Sequence, residues 1–157
     1  GIPSPNLRSN GFSLARRVFF DVAGRDVHGP AWSGADRTLG DVLLEPSVIY
    51  APAVLATMRD VEVRAVAHIT GGGIPGNLPR ALPDDVAYWL DPTTWDVPPI
   101  FGRIQDLGDV SDEEMAKVFN LGIGMIVVVR PEDGARTMAL LADRGHASCA
   151  IGEVTKR

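Results

Sequence analysis

The residues best equipped for chemistry lie in one stretch, Ala67-His68-Ile69-Thr70-Gly71-Gly72-Gly73-Ile74-Pro75-Gly76-Asn77-Leu78-Pro79-Arg80. Three consecutive glycines lack Cβ, accept φ above zero and let a ligand approach the main chain closely. Their N–H groups can converge on an anion as a nest of backbone donors. Arg80 adds a full positive charge and a forked donor set that suits phosphate or carboxylate. A plainer reading stands beside this one: a tight strand-to-helix turn in which glycine only relieves strain. His68 is open in the same way, as a polar contact at a cleft or as a satisfied core histidine.

A second group with chemical capacity is Arg8-Ser9-Asn10-Gly11. Leu14, Val18 and Val22 follow at helical spacing, so Ser9 or Asn10 is expected to cap that helix. A hydroxyl and an amide at a helix mouth also suit ligand contact, and Arg8 adds a charge there. Metal chemistry has little support. The single cysteine, Cys149, and three scattered histidines, His28, His68 and His146, lack zinc-ligand spacing. The acidic run Ser111-Asp112-Glu113-Glu114 reads as a capping box ahead of Met115, Val118 and Phe119.

These groups need elements to hold them. Val63 to Ile69 reads as a strand leading into the glycines, and Asn77 is expected to cap a following helix with Pro79 in its first turn. Arg25 to Asp41 reads as loop, with Trp32 anchoring it to the body. Ser47 to Met58 is expected to be a helix packed on the sheet through Val48, Ala51, Leu55 and Met58, beginning late because of Pro52. Further strands are expected at Val86 to Leu90, Ile123 to Val129 and Ser148 to Val154. Helices are expected at Ile100 to Leu107, after Glu114, and from Pro131 to Gly145. Gly122 and Gly124 leave bare backbone along one face of the strongest strand, where a ligand or a neighbouring element can lie close. Strands alternating with helices predict an α/β (α+β) sandwich, a mixed sheet with helices packed on it. The last strand–helix–strand unit is expected to cross over right-handed if its strands are parallel.

The length of 157 residues suits one domain spanning 1–157, and 45% hydrophobic residues suffice for a core. A net charge of −5 argues against general nucleic-acid binding. No apolar run approaches the roughly 20 residues of a membrane span, and no secretory leader is recognisable. One cysteine permits no internal disulfide, which agrees with a cytoplasmic setting. The chain begins at Gly1, already inside what reads as a motif, so a piece of a longer protein is expected.

Three motifs in order and spacing carry a resemblance. They are Ser9-Asn10-Gly11-Phe12-Ser13-Leu14, His68 to Gly73 with Asn77-Leu78-Pro79-Arg80, and Phe119-Asn120-Leu121-Gly122-Ile123-Gly124-Met125. Together with Ile151-Gly152-Glu153-Val154, they resemble the C-terminal domain of the phosphoribosylformylglycinamidine cyclo-ligase (aminoimidazole ribonucleotide synthetase) family over essentially the whole chain. The resemblance implies an ATP-dependent ring closure in purine biosynthesis. It also implies an N-terminal domain, absent here, that holds most of the ATP and Mg2+ and forms much of a homodimer. Carried over by motif, Ser9, Asn10, His68, Thr70, Gly71, Gly72, Gly73, Asn77 and Arg80 are implied to contact a small ribonucleotide substrate or its phosphate. No catalytic residue is implied. The chain departs from the family at Arg8, where histidine is usual, and at Gly76, where glutamate is common. Alternatives are a related synthetase or kinase of the same superfamily (formylglycinamidine synthetase, thiamine-phosphate kinase, selenophosphate synthetase, a hydrogenase maturation protein) or a binding module without catalysis.

Overall fold

A computed structural model describes all residues, 1–157. The elements in order are β1 (Ile2–Pro3), α1 (Phe12–Arg16), α2 (Leu39–Leu43), α3 (Ala51–Thr57), β2 (Ala65–His68), α4 (Gly73–Asn77) and β3 (Val86–Leu90). They continue with α5 (Pro99–Gly108), α6 (Asp112–Val118), β4 (Ile123–Val128), α7 (Gly134–Ala142) and β5 (Gly152–Lys156). The fold is α+β. Its strands form a three-stranded sheet in the order β1-β4-β2 and a separate ribbon of β3 with β5. Every pairing is antiparallel. The final β4–α7–β5 unit is therefore no parallel crossover; β5 leaves the main sheet and pairs with β3.

Helix α1 passes directly into a π-helical turn, Arg17–Val22, in which Ala23 N–H donates to the Val18 carbonyl at 2.9 Å. The wider turn keeps Val18 and Phe19 in the core and leaves Val22 outside, 59% exposed. Two further elements fall where loop was expected. Ile2–Pro3 forms the short edge strand, and Thr38 with Asp41 forms a reciprocal capping box that opens α2. Each side chain of that box satisfies a backbone donor the other leaves free. Trp32 packs against the largest core cluster, with the Arg103 guanidinium 5.9 Å above its ring.

That cluster joins Leu7, Ala15, Phe19, Leu39, Phe101, Ile104 and Phe119 beneath α1, α2, α5 and α6. A second lies under the glycine loop, with Ile69, Ile74, Leu78, Ile123, Ile126 and Ile151. The third packs α3 and α7 on the sheet through Ile2, Tyr50, Ala53, Val54 and Leu141. Helix α3 does begin late, with Pro52 in its first turn. It meets the sheet through Ala53 and Val54, however, and leaves Leu55 and Met58 exposed. The expected face is inverted because the segment is apolar all round and carries no polar stripe to fix its orientation.

The bare backbone of β4 is filled by a neighbouring element. A Cβ on Gly124 would stand 2.0 Å from Tyr50 Oη, whose hydroxyl donates to the Pro3 carbonyl at 2.8 Å. Tyr50 is buried and has no room to retreat. Gly124→Ala is expected to lose about 1–3 kcal/mol through overpacking, read as a lower midpoint in urea or thermal unfolding. Gly102 lies mid-helix in α5 with nothing within 4 Å of its missing Cβ. Gly102→Ala is expected to stabilise by about 0.5–1 kcal/mol.

Candidate functional site

The three motifs meet around the C-terminal end of α6. A Cβ on Gly11 would stand 2.1 Å from the Phe119 ring, and one on Gly73 would stand 1.8 Å from the Ala116 carbonyl oxygen. Gly11 and Gly73 both adopt left-handed backbone, with φ of 76° and 59°. Glycine is required at both positions for conformation and for close approach. Asn10 turns its side chain away from its own helix and donates to the Val118 carbonyl at 2.9 Å, closing the end of α6. Neither Ser9 nor Asn10 caps α1, whose N-cap is Gly11 without a side-chain bond. Ser9 stays exposed.

The glycine loop differs from expectation in a specific way. Helix α4 begins at Gly73, with Gly72 as its left-handed N-cap at φ 99°, and Asn77 is its last residue rather than the cap of the next helix. The Asn77 amide instead reaches back and donates to the carbonyls of Gly73 (2.7 Å), Gly71 (3.2 Å) and Thr70 (3.3 Å). Its Oδ1 accepts from Thr70 Oγ1 at 3.1 Å. One side chain thus gathers the loop carbonyls inward. The N–H groups of Gly71 and Gly72 keep no acceptor within the chain, and Gly71 is exposed. Thr70 and Asn77 shape this loop, and Gly73 seats it on α6. With only five residues, α4 adds little dipole, so the anion-binding capacity rests on the loop amides themselves.

Arg8 and His68 stand beside this loop. Arg8 adopts φ 62°, an unusual backbone for a residue with a side chain. It is held there by Asn6, whose Oδ1 accepts the Arg8 N–H at 3.0 Å. The Arg8 guanidinium bonds His68 Nε2 through Nη1, while its Nε is buried without a partner. A guanidinium can only donate, so His68 accepts at Nε2 and is neutral, with its proton on Nδ1. Burial, and secondly the charge of Arg8, hold the His68 pKa below its ordinary 6.5. His68 is therefore no core histidine; it lies exposed at the end of β2, edge-on to Tyr50 with ring centres 6.2 Å apart. Asn10 lies next to the loop, its Cβ 3.9 Å from where a Gly71 Cβ would stand.

Arg80 is not brought into this group. It is exposed on the 3₁₀ turn Pro79–Ala81, beyond the far end of α4. Eight residues of helical rise separate it from Gly72, roughly 12 Å along the axis. Arg8, directly before the Ser-Asn-Gly motif, is the cation the structure places next to the loop. Its sequence signal was weak because a lone arginine is usually only solvated. No three His, Cys, Asp or Glu side chains converge anywhere in the chain. A cavity of about 370 Å3 opens between Pro79, Pro83 and β3, and another of about 170 Å3 lies beside Trp32. Residues 68–77 line neither, so the loop presents its amides on an open surface.

Two outcomes follow from this geometry. Asn77→Ala leaves three loop carbonyls without their donor and is expected to destabilise by about 1–3 kcal/mol, measured by urea unfolding. Stability is also pH-dependent through His68. Above pH 6.5 the folded and unfolded chains both carry it neutral, and its contribution is complete. As pH falls, the unfolded chain takes up the proton first, and stability declines through the lower folded-state pKa. Unfolding midpoints between about pH 7.5 and 5 are expected to fall less steeply in His68→Gln than in the parent.

The family model described as "AIR synthase related protein, C-terminal domain" matches residues 1–157. The "Phosphoribosylformylglycinamidine cyclo-ligase" of Myxococcus xanthus (strain DK1622) is 48% identical over 154 residues, covering 98% of this chain and 44% of that protein. The protein of the same name from Bifidobacterium animalis subsp. lactis (strain AD011) is 44% identical over 157 residues, covering 100% of this chain and 46% of its own. A shorter relative from Streptomyces fradiae is 46% identical over 156 residues, 98% of this chain and 84% of that protein. The chain spans about half the length of the first two relatives.

Proposed function

The chain belongs to the AIR synthase related protein C-terminal domain family, and from that membership we propose that it is the substrate-gripping part of a phosphoribosylformylglycinamidine cyclo-ligase. In this reading an ATP-binding domain precedes residues 1–157, and the two together close the imidazole ring of formylglycinamidine ribonucleotide in the cytoplasm, as a homodimer. Identities of 44–48% to relatives of that name support the cyclo-ligase over other members of the superfamily.

The observation that carries the reading is the pair of free amides at Gly71 and Gly72 beside the Arg8–His68 pair. Preset amide donors and a guanidinium suit a phosphate or a developing oxyanion, because they need no reorganisation when the charge arrives. In this reading ATP supplies the phosphoryl group that makes the formyl amide oxygen a leaving group. The amidine nitrogen then attacks that carbon and phosphate departs. The part assigned to this chain is to fix one end of the substrate so that nitrogen and carbon stay within reach. Gly71, Gly72, Ser9, Arg8 and His68 are the contacts assigned to the substrate's phosphate. Asn10, Thr70, Gly73 and Asn77 hold that surface in shape. Arg80, one helix further along, is assigned to another part of the substrate or to the facing domain. A donor-rich loop without a converging acidic cluster suits an anion better than Mg2+. ATP and Mg2+ are therefore assigned mainly to the preceding domain.

Isothermal titration with ribose 5-phosphate tests the assignment. Arg8→Ala is expected to weaken binding about tenfold or more, as loss of a charge-assisted contact does, and Arg80→Ala to weaken it less. Equal heats from the parent and Arg8→Ala would remove Arg8 from the site. The 157-residue chain alone is expected to show no ATP-dependent ring closure in a steady-state assay, whereas the longer polypeptide is expected to show it.

A further inference from the structure

The segment from Pro46 to Met58 contains no charged residue across 13 positions. Only one side of it is used. Helix α3 packs on β1 and the sheet through Ala53, Val54 and the preceding Tyr50. Ala51, Leu55 and Met58 lie within about 60° of one another on the helix, roughly 110° from the packed side. Leu55 is 60% exposed and Met58 47%, while Ile49 just before the helix is 76% exposed and Leu44 80%. Four of the nine large hydrophobic side chains that the chain leaves in solvent therefore fall within 15 residues. A helix apolar on all sides is an element covered on all sides.

We propose that this second face of α3, with Ile49 and Leu44, is the docking surface for the polypeptide that precedes Gly1. Two observations select that occupant. The family is described as a C-terminal domain, and relatives of the chain carry more than half of their length outside the matched region. The chain also enters this domain next to α3, because Ile2 lies in the same buried cluster as Tyr50, Ala53 and Val54. A preceding segment reaches this face without crossing the domain. The inference shares with the proposed function only the premise that such a segment exists; it does not depend on the phosphate site.

Thiol labelling of the longer polypeptide tests it, with the native thiol removed by Cys149→Ser. Leu55→Cys and, independently, Met58→Cys would be compared with Asp106→Cys, which stands on the exposed side of α5. With the face covered, maleimide reacts at positions 55 and 58 about tenfold or more slower than at position 106, since labelling must wait for local opening. All three rates become equal in urea. Native rates equal to that at position 106 would overturn the proposal. Protection that disappears on dilution would also overturn it, because the cover would then be a second copy. Ring-closure activity in the same variants separates this result from the functional reading. Fast labelling with activity intact removes the docking surface alone, and protection without activity in the parent removes the cyclo-ligase alone.

Discussion

The site depends on one buried amide. Asn120, fully buried where α6 gives way to β4, donates to the Asn6 carbonyl at 2.9 Å and accepts the Gly122 N–H at 2.8 Å. Asn6 in turn holds Arg8 through its own Oδ1. The segment that carries Arg8, Ser9 and Asn10 is tied by this chain of bonds to the start of β4. A buried amide left unpaired costs about 1–3 kcal/mol, so each member of the chain constrains the next. Leu121 and Gly122 accept left-handed backbone, φ 48° and 98°, to complete the turn. The Leu121 carbonyl is satisfied by Trp95 Nε1 at 3.0 Å. The placement of the guanidinium beside His68 is thus set in part from the other end of the chain.

Carbonyls and amides divide the work at the glycine loop. Asn77 collects the carbonyls on the inner side, and α6 fills the space that a side chain at Gly73 would need. What is left facing outward is donor-rich and carries no carboxylate. A surface of this kind attracts anions and has no means of holding a divalent cation. The neutral state of His68 belongs to the same electrostatic balance. A second positive charge beside Arg8 would be repelled, and the imidazole serves the guanidinium as an acceptor.

Much of this was legible in the sequence, and the failures share a cause. Strand β3, helix α5 and the start of β4 lie where periodicity and proline or glycine punctuation put them. The order of helices and strands from α3 onward also follows the reading. Errors arose where tertiary contacts overrode a local rule. Asn77 looks like a cap because a proline follows two residues later. The three glycines, lacking side chains, can themselves start a helix against α6, and this moves the helix start back toward the strand. Ser9 and Asn10 look like caps for the same local reason, yet Asn10 is drawn off to close another helix. In α2 the Thr38–Asp41 box was present in the sequence, but Gly40 inside it disguised the helix. Gly40 is buried, with Val27 side-chain and carbonyl atoms 3.1 Å from its missing Cβ. Arg8 carries little local signal, because its importance comes from the backbone turn that Asn6 holds and from His68, far along the chain.

The π-helical turn after α1 carries a consequence for how this chain can vary. Residues Arg17–Val22 hold more chain per turn than an ordinary helix would need to cover the same height. Removing a single position there would tighten the coil to the common form and rotate everything after it by about 100°. Val22 would swing toward the interior, while the aromatic layer built by Phe19 could keep its place. Length changes of one residue at this point are therefore a route by which kindred chains can re-aim the Gly24 corner without disturbing the phosphate-facing surface.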